Sequence, residues 1–284
     1  WLLAPATELD AIRRDGLATI GYVANWRAIL AHQDYWAIFR SASPLEHTWS
    51  LSIEEQFYIL WPLVFVGILA VARRRIAPAV LVTCVVLAAG SAALMVALYE
   101  PGNTIRAYYG TDTRVGAILL GAALAAWTRW RGPIASRAGR LALEVAGWAG
   151  LVLLAAAMSR VGGESYRLYH GGFLLVELAT VAVIAAAAHP EAGLLSRALS
   201  WRPLVGLGLI SYGVYLWHWL VDVTLTPGRT GLDGWLLFGV QCAVTLAIAY
   251  ASYRLVEMPI RRGAGHRRVW AFALPASAVV VTAA

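Results

Sequence analysis

Eight apolar blocks constrain this chain more than any single motif in it. They lie at about 51–72, 77–98, 113–130, 141–158, 171–188, 203–224, 235–255 and 269–284. A helix needs about 20 apolar residues to cross the hydrocarbon layer, and inside that layer its backbone groups must bond one another. Only 14% of the 284 residues are charged and 60% are hydrophobic, whereas a soluble domain carries about a quarter charged residues. The pattern predicts an all-α, polytopic transmembrane helical bundle with the lipid bilayer as its solvent. Residues 1–46 form a mixed extracytoplasmic or interfacial segment, with Leu17 to Leu30 as a helix lying on the membrane. Residues 47–265 make the main transmembrane domain and 266–284 the last span.

Charge fixes an orientation. The net charge of +7 could suit nucleic acid, but the arginines sit between the apolar blocks, so no nucleic-acid partner is expected. Arg73–Arg75, Arg129, Arg131, Arg137, Arg140, Arg197, Arg202, Arg261, Arg262, Arg267 and Arg268 fall in alternate loops. The intervening loops hold only Arg106, then Arg160 and Arg167, then Arg229. By the positive-inside rule the arginine-rich loops are cytoplasmic. Cys84 and Cys242 both lie in apolar blocks, so neither a disulfide nor a metal site is expected.

Four polar segments stand out against this background. The first is His47-Thr48-Trp49-Ser50-Leu51-Ser52-Ile53-Glu54-Glu55-Gln56-Phe57-Tyr58, at the extracytoplasmic mouth of the first block. Ser52 and Glu55 fit a capping box. Glu54 shares a helical face with Tyr58, and His47 stands just upstream. A carboxylate at a span mouth is either a solvated interfacial residue or a functional group. The second segment is Tyr109-Gly110-Thr111-Asp112-Thr113-Arg114. Here Asp112 and Arg114 are either a helix cap with an interfacial pair or lining of the same cavity as Glu54.

The third segment, 206–219, places Ser211, Tyr215 and His218 on one helical face. A membrane histidine of this kind is either a hydrogen-bonded packing residue or part of a polar cavity. The fourth, 253–262, holds Glu257, Pro259, Arg261 and Arg262. Pro259 is expected to stop its helix. The arginines either anchor Glu257 or attract an anionic cytosolic ligand such as a nucleotide phosphate.

Together, the four segments resemble the integral-membrane acyltransferase family 3, of the O-antigen acetylase type. The motifs matched are His-Thr-Trp-Ser-Leu-Ser-x-Glu-Glu-Gln-Phe-Tyr at 47–58 and Tyr-Gly-Thr-Asp-Thr-Arg at 109–114. The others are Ile-Ser-Tyr-x-x-Tyr-Leu-Trp-His-Trp at 210–219 and Tyr-Arg-x-Val-Glu-x-Pro-Ile-Arg-Arg at 253–262. The resemblance implies an enzyme of the bacterial inner (cytoplasmic) membrane. Such an enzyme moves an acyl group, usually acetyl, from cytosolic acyl-CoA to a hydroxyl of a cell-envelope glycan, with no bound cofactor. It also implies about three earlier spans carrying an arginine and a histidine central to transfer, and in some members a following extracytoplasmic SGNH-type domain. Residues 1–284 alone are therefore expected to be inactive.

The expected catalytic group is Glu54, His47 and Tyr58. Glu54 would orient or tune a histidine. Tyr109, Asp112, Arg114, Ser211, Tyr215 and His218 are expected to bind substrate, and Arg261 and Arg262 the acyl-CoA. A transmembrane conduit for acyl groups is the competing reading. It calls for broken helices in paired halves and an inverted repeat, and the sequence shows no such repeat.

Overall fold

The computed structural model describes residues 9–33, 43–73, 75–191 and 193–262. The predicted last span, 269–284, lies outside them. The helices in chain order are α1 (Leu9–Ile20), α2 (Ala24–Leu30), α3 (Trp49–Ala72), α4 (Ile76–Ala97), α5 (Ile105–Tyr109), α6 (Thr111–Arg114) and α7 (Gly116–Arg131). Then follow α8 (Arg137–Arg160), α9 (Phe173–Ala187), α10 (Leu194–Leu199), α11 (Arg202–Thr224), α12 (Pro227–Thr230), α13 (Gly234–Ser252) and α14 (Met258–Arg261). Among the described residues the only β pairing is one bridge between Glu100 and Asn103.

Six helical runs are long and apolar enough to cross a membrane: Glu46–Ala72, Ile76–Ala97, Arg137–Arg160, Leu168–Ala187, Arg202–Thr224 and Gly234–Arg261. A seventh predicted span begins as α6. Val115 keeps right-handed helical dihedrals (φ −63°, ψ −16°), so the chain runs on from α6 into α7. From Thr113, where the predicted span starts, to Arg131 that is about 28 Å of helix, close to the thickness of the hydrocarbon core. The protein is a multi-pass, all-α membrane bundle.

The helices fall into two compact units. One contains α3–α10 with most of α2. Within it α4 packs on α7 and α8 on α9, with α3 against α4 and α7 against α9. Lipid offers no hydrophobic drive between helices, so small residues that permit close approach decide the seams. At Gly150 of α8 a Cβ would stand 2.7 Å from the Ala179 carbonyl oxygen, so this seam tolerates only glycine. Glu144 then ties α8 to α10, accepting from the Leu195 N–H at 2.7 Å and from the Trp148 indole at 2.9 Å. The other unit contains α1 and α11–α14. There Gly213 of α11 meets Ala249 of α13, where a Cβ would lie 3.2 Å from the Ala249 backbone.

Three local expectations are corrected. The helix expected over Leu17–Leu30 is two helices, because Tyr22 adopts φ 56° between α1 and α2. Ser52 does not cap a helix. A 3₁₀ turn, Glu46–Thr48, starts the run earlier, so Ser52 lies inside α3 and is 2% exposed. Pro259 does not stop its helix either. The chain widens into a π turn at Tyr253–Glu257, and the helical run continues through Pro259 to Arg261.

Candidate active site

In the α3–α10 unit the site is built around the loop from Ile105 to Arg114. Asn25 of α2, fully buried, clamps that loop. Its amide donates to the Tyr109 carbonyl oxygen at 3.0 Å and to the Thr111 hydroxyl at 2.9 Å. Its own oxygen accepts from Gln56 of α3 at 3.0 Å, and the Thr111 hydroxyl donates to Gln56 Oε1. The ring closes on itself, as a buried polar network must. Thr113 adds hydrogen bonds to the Ala107 and Gly110 carbonyls at 2.8 and 2.9 Å. Tyr109 is fully buried and packs edge-on against Trp49, with ring centroids 5.0 Å apart.

Asp112 does not pair with Arg114, because residues two apart on a helix face away from each other. It pairs instead with Arg106, in a bidentate contact at 2.9 and 2.7 Å. The guanidinium also lies over the Trp26 ring at 5.2 Å. The hydrogen bonds from Arg106 hold the Asp112 carboxyl below its ordinary range. Nor does Asp112 cap α6, whose N-cap is Gly110. A Cβ at Gly110 would collide with the Arg106 guanidinium and lie 2.6 Å from Asp112 Oδ1.

Arg114 is held differently. Its guanidinium carbon sits 4.3 Å from the Phe173 ring centroid, 5.3 Å from Tyr108 and 5.9 Å from Trp49. It makes no side-chain hydrogen bond or ion pair among the described residues. Glu177 of α9 supplies the carboxylate that acts on it electrostatically. Sequence reasoning passed over Asn25, Gln56 and Glu177. Only Glu177 carried a readable signal, as a lone acid in the apolar run Phe173–Ala187.

Glu54 and Tyr58 do share one face of α3, and both are exposed. Glu54 makes no hydrogen bond or ion pair among the described residues. In the other unit, His47, Tyr215 and His218 form a triangle with ring centroids 5.4, 5.5 and 5.6 Å apart. The Tyr215 hydroxyl donates to the His47 carbonyl oxygen, and His218 Nδ1 lies 2.6 Å from the Tyr215 carbonyl oxygen. The His47 ring is 6% exposed, and neither nitrogen meets hydrogen-bond geometry with a described residue. The Leu216 backbone faces this ring without reaching that geometry. Ser211 does not join the triangle. It is exposed and bonds back to the Gly208 carbonyl oxygen at 2.9 Å. Arg261 pairs with Glu257 at 3.0 Å, while Arg262 stands exposed. No group of three or more His, Cys, Asp or Glu among the described residues could hold a metal ion.

The comparisons bear on the same segments. The acyltransferase domain family matches residues 16–254, which take in the Asn25 clamp, the loop and the histidine triangle. The peptidoglycan O-acetyltransferase OatA of Listeria monocytogenes is 38% identical over 261 residues, 89% of this chain and 41% of that protein. YrhL of Bacillus subtilis is 37% identical over 267 residues, 92% of this chain and 42% of its own length. The O-acetyltransferase OatA of Staphylococcus aureus is 35% identical over 260 residues, 88% of this chain and 42% of that protein. The chain thus spans about two fifths of the length of these relatives. No solved structure matches it. With the family match covering most of its length and all four polar segments inside or overlapping it, the chain belongs to the integral-membrane acyltransferase family 3.

Proposed function

We propose that this chain is the transmembrane part of an O-acyltransferase of the bacterial cytoplasmic membrane, moving acetyl from cytosolic acetyl-CoA to a hydroxyl of an envelope glycan. The observation that carries the reading is Arg114: a guanidinium with no hydrogen bond or ion pair among the described residues, caged by three aromatic rings, in a loop clamped by a closed hydrogen-bond ring. A preorganised cation of this kind stabilises negative charge developing on an acyl carbonyl oxygen. In transfer, the acceptor oxygen attacks the carbonyl carbon and the C–S bond breaks. The hydroxyl proton passes through a base to the departing thiolate.

Glu54 tunes that base, with Tyr58 beside it on the exposed face of α3. Tyr109 and Asp112 hold the loop that presents Arg114. His47, Tyr215 and His218 form a second polar cluster that contacts substrate, with Ser211 one helical turn before Tyr215. Arg261 and Arg262 attract the phosphates of acyl-CoA from the cytoplasmic side. The names of the relatives favour peptidoglycan as the acceptor.

The test is reconstitution of the full-length protein in proteoliposomes, with radiolabelled acetyl-CoA on one side and peptidoglycan strands on the other. Alkali-labile label on the glycan, lowered by Glu54→Gln, supports the reading. Label that crosses without esterifying any acceptor favours a conduit instead.

A further inference from the structure

The start of α9 is broken. Leu168–Gly172 forms a π turn in which His170 (φ −95°, ψ 53°) and Gly171 (φ 106°) leave helical geometry. Such breaks in a membrane span are tolerated where they line a cavity, and one lies there. It is a half-open cleft of about 290 Å³ lined by Ser91, Ala92, Thr113, His170, Leu174 and Glu177, among others. Glu177 makes no hydrogen bond or ion pair among the described residues. A half-buried carboxylate on the cavity wall with no hydrogen bond among the described residues has open acceptor positions, and a bound partner can fill them. That partner must donate, since an ionised carboxylate only accepts. Arg114, which acts on Glu177 electrostatically, disfavours a cation there.

A neutral hydroxyl fits both conditions. Gly116 keeps the approach open: its backbone N–H donates to Ser91 Oγ at 3.2 Å, and a Cβ there would stand 3.3 Å from both Ser91 Oγ and Glu177 Oε2. The apolar walls, with Phe173 and Tyr169 among them, suit the face of a ring. The volume falls at the lower end of small-ligand pockets, about 300 Å³.

We propose that this cavity, bounded by Ser91, His170 and Glu177, receives one sugar unit of the acyl acceptor, with Glu177 accepting a hydrogen bond from a ring hydroxyl. This rests on the acyl-transfer reading and assigns the acceptor to a place within it. The lipid-tail alternative leaves Glu177 unbonded, and an anionic donor meets its charge directly.

The experiment uses the full-length protein in nanodiscs, with the native cysteines replaced and Ala92→Cys placed on the cavity wall. The maleimide labelling rate is followed against an N-acetylglucosamine–N-acetylmuramic acid disaccharide. The disaccharide is expected to slow labelling several-fold, and Glu177→Gln to raise the half-protecting concentration about tenfold, the scale of one charge-assisted hydrogen bond. A thiol that stays unprotected in protein acetylating the same disaccharide overturns the pocket while leaving acyl transfer intact. Protection without any acetylation keeps the pocket and removes the transfer reading. If Glu177→Gln does not fold, Leu174→Trp fills the same space: lost protection supports the assignment, and unchanged protection overturns it.

Discussion

Arg106 and Arg114 stand eight residues apart in one loop and are treated in opposite ways. Arg106 is matched by the two oxygens of Asp112 and covered by Trp26. Its charge is used up inside the protein, holding the loop in shape. Arg114 faces only aromatic rings, with Glu177 acting on it from a distance. Ring quadrupoles stabilise a cation by about 1–2 kcal/mol without occupying its hydrogen-bond donors. Arg114 is therefore held firmly, yet its five N–H groups remain available. A structural cation and a poised one can be told apart by what their donors meet, and burial alone does not separate them.

The largest expected effect tests the poised member. Arg114→Lys keeps the charge but loses the planar fork. In the reconstituted full-length enzyme it should lower kcat for acetyl transfer by about 100-fold or more, the scale of losing an oxyanion donor. Arg106→Lys, by contrast, should shift the thermal unfolding midpoint more than it shifts kcat. Equal losses of kcat in the two variants would erase the distinction between these arginines.

The structural member is tested next at Gly110. Gly110→Ala should separate Arg106 from Asp112, since the new methyl group occupies the place where the guanidinium sits. Overpacking of this kind costs about 1–3 kcal/mol, read as a lower unfolding midpoint in detergent. Asn25→Leu should cost about 2 kcal/mol, because it removes three membrane-protein hydrogen bonds at roughly 0.6 kcal/mol each and strands the Tyr109 carbonyl. The combined Gly110→Ala, Asn25→Leu variant should lose less than the sum of the two, since both loosen the same loop.

Which of these features could be read from the sequence follows from the range of the interaction. The spans were legible because hydropathy is a property of consecutive residues, and the observed α8 and α11 lie close to the predicted blocks. The Tyr215–His218 neighbourhood was legible too, as a three-residue helical step. Its closure on His47, 168 residues away from Tyr215, was not. The Asn25 clamp was not legible, because its partners Gln56 and Thr111 are 31 and 86 residues distant. The Asp112 pairing was misread for a different reason: proximity in sequence pointed to Arg114, whereas helix geometry sends the two side chains apart. Ser52 was misplaced because the chain enters α3 through a 3₁₀ turn, which no local capping pattern announces.

The smallest effect concerns pH, and its sign follows from Asp112. Arg106 holds that carboxyl below its ordinary value chiefly through its hydrogen bonds; burial opposes them, and the Arg106 charge adds a lesser downward effect. The stabilisation is therefore fully present above the unfolded-state value of about 3.9 and is lost as pH falls through the lower folded-state value. Both side chains are about a third exposed, so solvent screens the pair and the effect stays modest. Wild-type protein should lose thermal stability more steeply below about pH 4 than Asp112→Asn, which carries no such linkage. Between pH 6 and 8 the two stability curves should run parallel. A divergence there would mean that another titrating group supports the loop, and the Arg106–Asp112 pair would no longer stand as the self-contained counterpart of the poised Arg114.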